Sequence, residues 1–105
     1  MGYPELVPAG GTSCTHVLDL TSGDLAFLHE QEVRLNAMLR KQAQAAGAVF
    51  VDTFTPSEGL NACADASRRW VEPLIPASTG TTLHPNVTGE QGMADAVVRA
   101  VRAAG

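Results

Sequence analysis

Residues 53–87 set the strongest limit on how this chain can fold. They run from a short apolar segment, Ala48-Val49-Phe50-Val51-Asp52, to a helix start at Thr88. The stretch is rich in Pro, Gly, Ser and Thr, with only patchy apolar content. A structureless connection of that length is uncommon in a compact domain unless it serves a site or packs through a short helix of its own. Trp70, Val71, Leu74 and Ile75 are the residues that can pin it to a core. Outside it the chain offers two helical patterns and one strand-like run, and one strand cannot make a sheet.

The first helical pattern is strongly marked. Thr21-Ser22-Gly23-Asp24 fits a helix start, with Thr21 as N-cap and Asp24 three residues on. Leu28, Leu35, Met38, Leu39, Ala43 and Ala46 fall on one broad face, and Glu30, Glu32, Arg34, Arg40 and Lys41 occupy much of the rest. Gly47 suits the position just past the C-cap. The apolar, β-branched run Ala48–Asp52 then reads as a buried parallel strand with Asp52 at its C-terminal end. Thr88 and Gln91 form a second capping box, followed by an apolar stripe at Ala94, Val97, Val98 and Val101. Residues 1–20 read as loop, with at most the stub of a strand before Tyr3. The order is helix, strand, long loop, helix, which looks like the last portion of an α/β domain.

The chain has 105 residues, enough for one small domain. Hydrophobic residues make up 45% and charged residues 17%, which favours a packed chain over disorder. A net charge of -4 counts against nucleic acid or an anionic membrane as partner. No apolar run approaches the roughly 18 residues of a membrane span. The start Met1-Gly2-Tyr3-Pro4-Glu5 does not read as a signal peptide. Cys14 and Cys63 are too few for a four-ligand zinc site, even with His16 counted. They are either two reduced buried thiols or one disulfide, and their spacing does not choose between these.

The segment with most chemical content is Thr81-Thr82-Leu83-His84-Pro85-Asn86. A histidine fixed by a following proline, on a loop ahead of a helix, presents an imidazole suited to proton transfer near neutral pH. A base of this kind needs a nucleophile and oxyanion donors, and no serine here sits in a recognisable nucleophile motif.

Taken together, Gly2-Tyr3-Pro4, Val51-Asp52-Thr53-Phe54, Gly59-Leu60-Asn61-Ala62-Cys63, Trp70-Val71-Glu72-Pro73-Leu74 and Leu83-His84-Pro85-Asn86 resemble the SGNH (GDSL) hydrolase family. The likeness is to its exported bacterial esterase and lipase branch, and only to the C-terminal part of a member. It implies a three-layer α/β/α, flavodoxin-like fold with a parallel sheet, of which residues 1–105 would be a single incomplete domain. The implied activity is hydrolysis of carboxylic esters or lipids by a serine nucleophile, with no metal and no organic cofactor. His84 falls on the family's general base. Many members carry an aspartate three residues earlier, where this chain has Thr81. Some exported members use a backbone carbonyl there, so the resemblance gives the Thr81 carbonyl the task of orienting His84. The Gly-Asp-Ser block and the oxyanion-hole residues have no counterpart here, and Ser22-Gly23-Asp24 has its residues in the wrong order. The resemblance also implies a disulfide between Cys14 and Cys63, and a secreted full-length relative.

Plainer readings stand beside these. His16 and His29 read as solvent-facing, and Asp65 and Glu72 as solvated loop charges. Asp52 reads equally as a strand-ending polar residue, and Trp70 as a hydrophobic anchor for its loop. Leu60 replaces a histidine common in relatives. Asn86-Val87-Thr88 matches a glycosylation sequon of a kind common by chance. The functional expectation is a C-terminal esterase fragment, inactive alone, that retains the base. The alternative is a small non-catalytic association module, self-associating through an exposed strand edge.

Overall fold

The computed structural model describes residues 1–10, 14, 20–74 and 81–105. His16 and Ile75 lie outside the described residues. Two helices dominate: α1, Ser22–Ala45, and α2, Val87–Ala104. A short 3-10 helix, Thr55–Ser57, lies between them.

The ends of α1 follow the sequence signals. The Thr21 hydroxyl accepts the Asp24 N–H at 3.1 Å, and the Asp24 carboxylate accepts the Thr21 N–H at 3.0 Å. This reciprocal box satisfies two donors that the first turn leaves unpaired. At the other end Gly47 has φ 71°, the left-handed conformation that glycine adopts without a Cβ penalty. The Ala48 N–H then reaches the Ala43 carbonyl and the Gly47 N–H reaches Gln44, closing the helix as a Schellman motif. Helix α2 starts earlier than its sequence suggests, with the N-cap moved from Thr88 to Asn86. The Asn86 Oδ1 accepts the Gly89 N–H at 2.9 Å.

The expected parallel sheet is absent: among the described residues there is no strand, only an isolated antiparallel bridge between Val71 and Pro85. The helix–strand–helix α/β reading is therefore wrong for this structure. Segment 48–53 has no regular structure, Val49 is 61% exposed, and the segment gains one backbone bond from its neighbour, Gly2 N–H to Val51 carbonyl at 2.9 Å. The reason lies in residues 1–7. Their backbone groups are satisfied mostly by side chains, and no partner strand is left to build a ladder. Asn36 accepts the Tyr3 N–H at 2.9 Å and donates to its carbonyl at 3.2 Å. Glu32 Oε1 accepts the Leu6 N–H, Ser57 Oγ accepts the Glu5 N–H, and Thr53 Oγ1 donates to the Gly2 carbonyl.

This arrangement selects which face of α1 is buried. Leu25, Glu32 and Asn36 are buried, while Leu28, Leu35 and Met38 stay 37–47% exposed. The apolar stripe of the sequence is thus not the packed one. The core that does form joins Val7, Cys14, Leu25, Ala62, Trp70 and Val71. Trp70 lies on a glycine face of α2: a Cβ at Gly89 would collide with the Trp70 carbonyl, and one at Gly92 with its six-membered ring. Cys14 and Cys63 form a disulfide across a separation of 49 residues. No described helix is long and apolar enough to cross a membrane.

Candidate active site

Residues 69–74 and 81–86 are laid side by side and fix the backbone around His84. Glu72 N–H donates to the His84 carbonyl at 3.1 Å, and the Glu72 carbonyl accepts the Leu83 N–H at 2.8 Å. One residue further out, Asn86 N–H donates to the Trp70 carbonyl at 2.8 Å, and Asn86 Nδ2 to the Arg69 carbonyl at 2.9 Å. Leu83 sits at φ 57°, a left-handed conformation that a branched residue adopts at a cost of about 1–3 kcal/mol. That conformation turns the chain sharply just before the histidine.

His84 is exposed, and its Nδ1 lies 2.9 Å from the Thr82 carbonyl. A carbonyl only accepts, so this contact requires a proton on Nδ1. In the neutral ring Nε2 then carries the free lone pair and can accept a proton. The Thr81 carbonyl, expected to meet the ring, instead accepts the His84 backbone N–H at 3.0 Å. The turn places the carbonyl two residues back, and not three, against Nδ1. Beside the ring is a cavity of about 320 Å³ lined by Met1, Tyr3, Leu6, Leu83, His84 and Met93, among others.

No serine hydroxyl among the described residues is hydrogen-bonded to His84. Ser57 is occupied elsewhere, accepting from Glu5 N–H and donating to the Phe54 carbonyl. Ser13 and Ser78 lie outside the described residues. No group of three or more His, Cys, Asp or Glu among the described residues could hold a metal ion.

Glu72 and His29 differ from their sequence reading, and Glu5 had none. Glu72 is not a solvated loop charge: it is 2% exposed, and its Oε2 accepts Nε and Nη2 of Arg69 at 3.1 and 2.8 Å. His29 is not solvent-facing. Its Nε2 meets Glu5 Oε2 at 3.2 Å, and its ring packs on Phe54. Glu5, which had no assigned role, is buried and also accepts from the Gly59 N–H and from Asn61 Nδ2. It joins the first segment, α1 and the loop after the 3-10 helix. Asp52 ends no strand; its carboxylate instead accepts from Phe54 and Thr55 at the start of the 3-10 helix. Burial opposes its ionisation, but hydrogen bonds from the Thr55 hydroxyl, the Thr55 and Phe54 N–H groups, and the Arg40 charge outweigh that and hold its pKa below the ordinary value. Asp65 is exposed, as expected. Leu60 is half-buried, and its carbonyl accepts the Trp70 N–H.

No family model matches the chain. It is similar to a protein named lipase 2 from Streptomyces coelicolor, with 38% identity over 90% of this chain and 32% of the relative. It is also similar to a protein named esterase from Streptomyces scabiei, with 31% identity over 85% of this chain and 30% of the relative. The chain spans about a third of the length of the curated relatives it matches.

Proposed function

We propose that residues 1–105 are the C-terminal part of a serine ester hydrolase of the SGNH (GDSL) type and supply its general base, His84. The observation that carries this reading is the ring geometry: Nδ1 faces the Thr82 carbonyl and Nε2 is left as the base. A carbonyl fixes the tautomer as a carboxylate would, without the negative charge that steadies an imidazolium. Nε2 takes the proton of a serine hydroxyl supplied from outside the described residues as Oγ bonds to the ester carbonyl carbon. The same proton passes to the alcohol oxygen as the C–O bond breaks, and water then releases the acid by the reverse roles. No organic or metal cofactor is needed for these steps. The substrate is a carboxylic ester, and the similarity to a lipase and an esterase supports that class. The Cys14–Cys63 disulfide fits an exported protein, since such bonds persist in oxidising compartments.

Alone, the chain is expected to be inactive on a short-chain activated ester such as p-nitrophenyl butyrate. A specific rate that disappears in His84→Ala would overturn the missing-nucleophile part of the proposal. A second reading, a non-catalytic association module, draws on a separate observation. Phe27, Val33 and Met38 on α1, and Val87, Val98 and Val101 on α2, are 44–82% exposed. With no strand edge formed among the described residues, these helix faces are exposed surfaces that suit association. Sedimentation equilibrium tests it, and a monomer at all accessible concentrations would count against the module.

A further inference from the structure

Arg69 and Glu72 are 7% and 2% exposed, an unusual depth for two charges on a connecting segment. A buried ion pair contributes little net stability, because desolvation offsets most of its attraction. Its value lies in fixing one arrangement, and here both partners are tied by their main chains to the residues around His84. The Glu72 N–H and carbonyl hold the His84 carbonyl and the Leu83 N–H. The Arg69 carbonyl holds the Asn86 side chain, which also caps α2. Between these anchors sits Leu83 in its left-handed conformation. Nothing intrinsic to leucine favours that conformation, so the surrounding bonds must enforce it.

We propose that Glu72, locked by Arg69, is a positioning residue: it holds Leu83 in the turn that sets the His84 ring with Nδ1 on the Thr82 carbonyl. The inference rests on the reading of His84 as the base and adds the device that orients it. The ion pair fixes segment 69–72. That segment clamps the peptide groups either side of the Leu83–His84 bond, and the resulting turn aims Nδ1 inward and Nε2 outward. Loss of the Glu72 charge frees Arg69 to seek water and loosens the clamp. The ring then samples both tautomers. Leu83→Gly, which makes the left-handed turn costless, reduces the dependence on Glu72.

The test uses the whole 105-residue chain with ¹⁵N-labelled histidine and records ring nitrogen shifts at alkaline pH. In the unsubstituted chain, His84 should show two well-separated nitrogen signals, with Nδ1 protonated. In Glu72→Gln they should converge toward each other, while the His29 signals, held by Glu5, stay in place. In Glu72→Gln with Leu83→Gly the separation should return in part. Unchanged His84 signals in a folded Glu72→Gln chain would overturn the proposal. If the His29 signals collapse as well, the variant has unfolded. The apolar pair Arg69→Met with Glu72→Leu then replaces it, because such pairs keep the packing without a buried unpaired charge. Converging His84 signals in that variant support the proposal, and unchanged signals overturn it. If the unsubstituted chain lacks the Nδ1–H tautomer, the geometry assigned to the base fails first, a result distinct from failure of the clamp.

Discussion

Glu32 makes the stability of this chain fall as pH rises from 4.5 to about 7. Its carboxyl is buried on α1, with Oε1 on the Leu6 N–H and Oε2 without a hydrogen-bond partner among the described residues. Burial disfavours the charged form and the nearby Glu5 charge adds to this. Backbone donors at Leu6 and Val7 oppose them, and the net effect lifts the pKa from 4.5 to about 7. The folded chain therefore holds a proton between those values that the unfolded chain has released. Stability is fully present below the unfolded pKa, declines as pH rises from 4.5, and the loss is complete above about 7. At about 1.4 kcal/mol per tenfold change in protonation, the ceiling on that loss is about 3 kcal/mol. Water reaches part of the group, and screening of the kind that weakens exposed charges reduces this to about 1–2 kcal/mol. Glu32→Gln keeps an acceptor for Leu6 and removes the titration. Urea unfolding should find the variant equal to the parent near about pH 4 and more stable by about 1–2 kcal/mol near about pH 8.5. Parallel pH profiles for the two chains would refute the reasoning.

Two further expectations concern the frame of the fold. The Cys14–Cys63 bridge closes a loop with 49 residues of separation, for which the chain-entropy model gives about 4 kcal/mol. The double substitution to serine should lower the urea midpoint by a matching amount, and an unchanged midpoint would show that the bridge constrains nothing. Gly92→Ala places a methyl group into the Trp70 ring, an overpacking that costs about 1–3 kcal/mol. It should lower the melting temperature and shift the tryptophan emission. A neutral result would mean that Trp70 does not rest on α2.

What could be read in the sequence was local. Thr21, Asp24 and Gly47 mark the ends of α1 because caps act through neighbouring backbone groups, and the structure keeps all three roles. The packed faces were not legible. Leu28, Leu35 and Met38 form the apolar pattern on α1, but its partner is the backbone of Tyr3 and Leu6, which needs hydrogen bonds, so Glu32 and Asn36 are buried instead. On α2 the contact with Trp70 runs through Gly89 and Gly92, which carry no hydrophobic signal. The run Ala48–Asp52 has strand composition, yet composition supplies no neighbouring strand, and no ladder forms among the described residues. The position of His84 was visible in its proline and the helix that follows. Its carbonyl partner was not, because the left-handed Leu83 shifts that contact from Thr81 to Thr82. Glu72 was misread because a loop glutamate is usually solvated; the available signal was an arginine three residues earlier, beside Trp70 and Pro73.

The central claim, that His84 is the base of an ester hydrolase completed from outside these residues, can be tested by transplantation. The matching third of the Streptomyces coelicolor lipase 2 would be replaced by residues 1–105. The chimera would be assayed on p-nitrophenyl butyrate with and without His84→Ala. The account predicts hydrolysis by the chimera and a fall in kcat of about 10³-fold or more in the variant, the scale of losing a catalytic base. A folded chimera whose rate is unchanged by His84→Ala would contradict it.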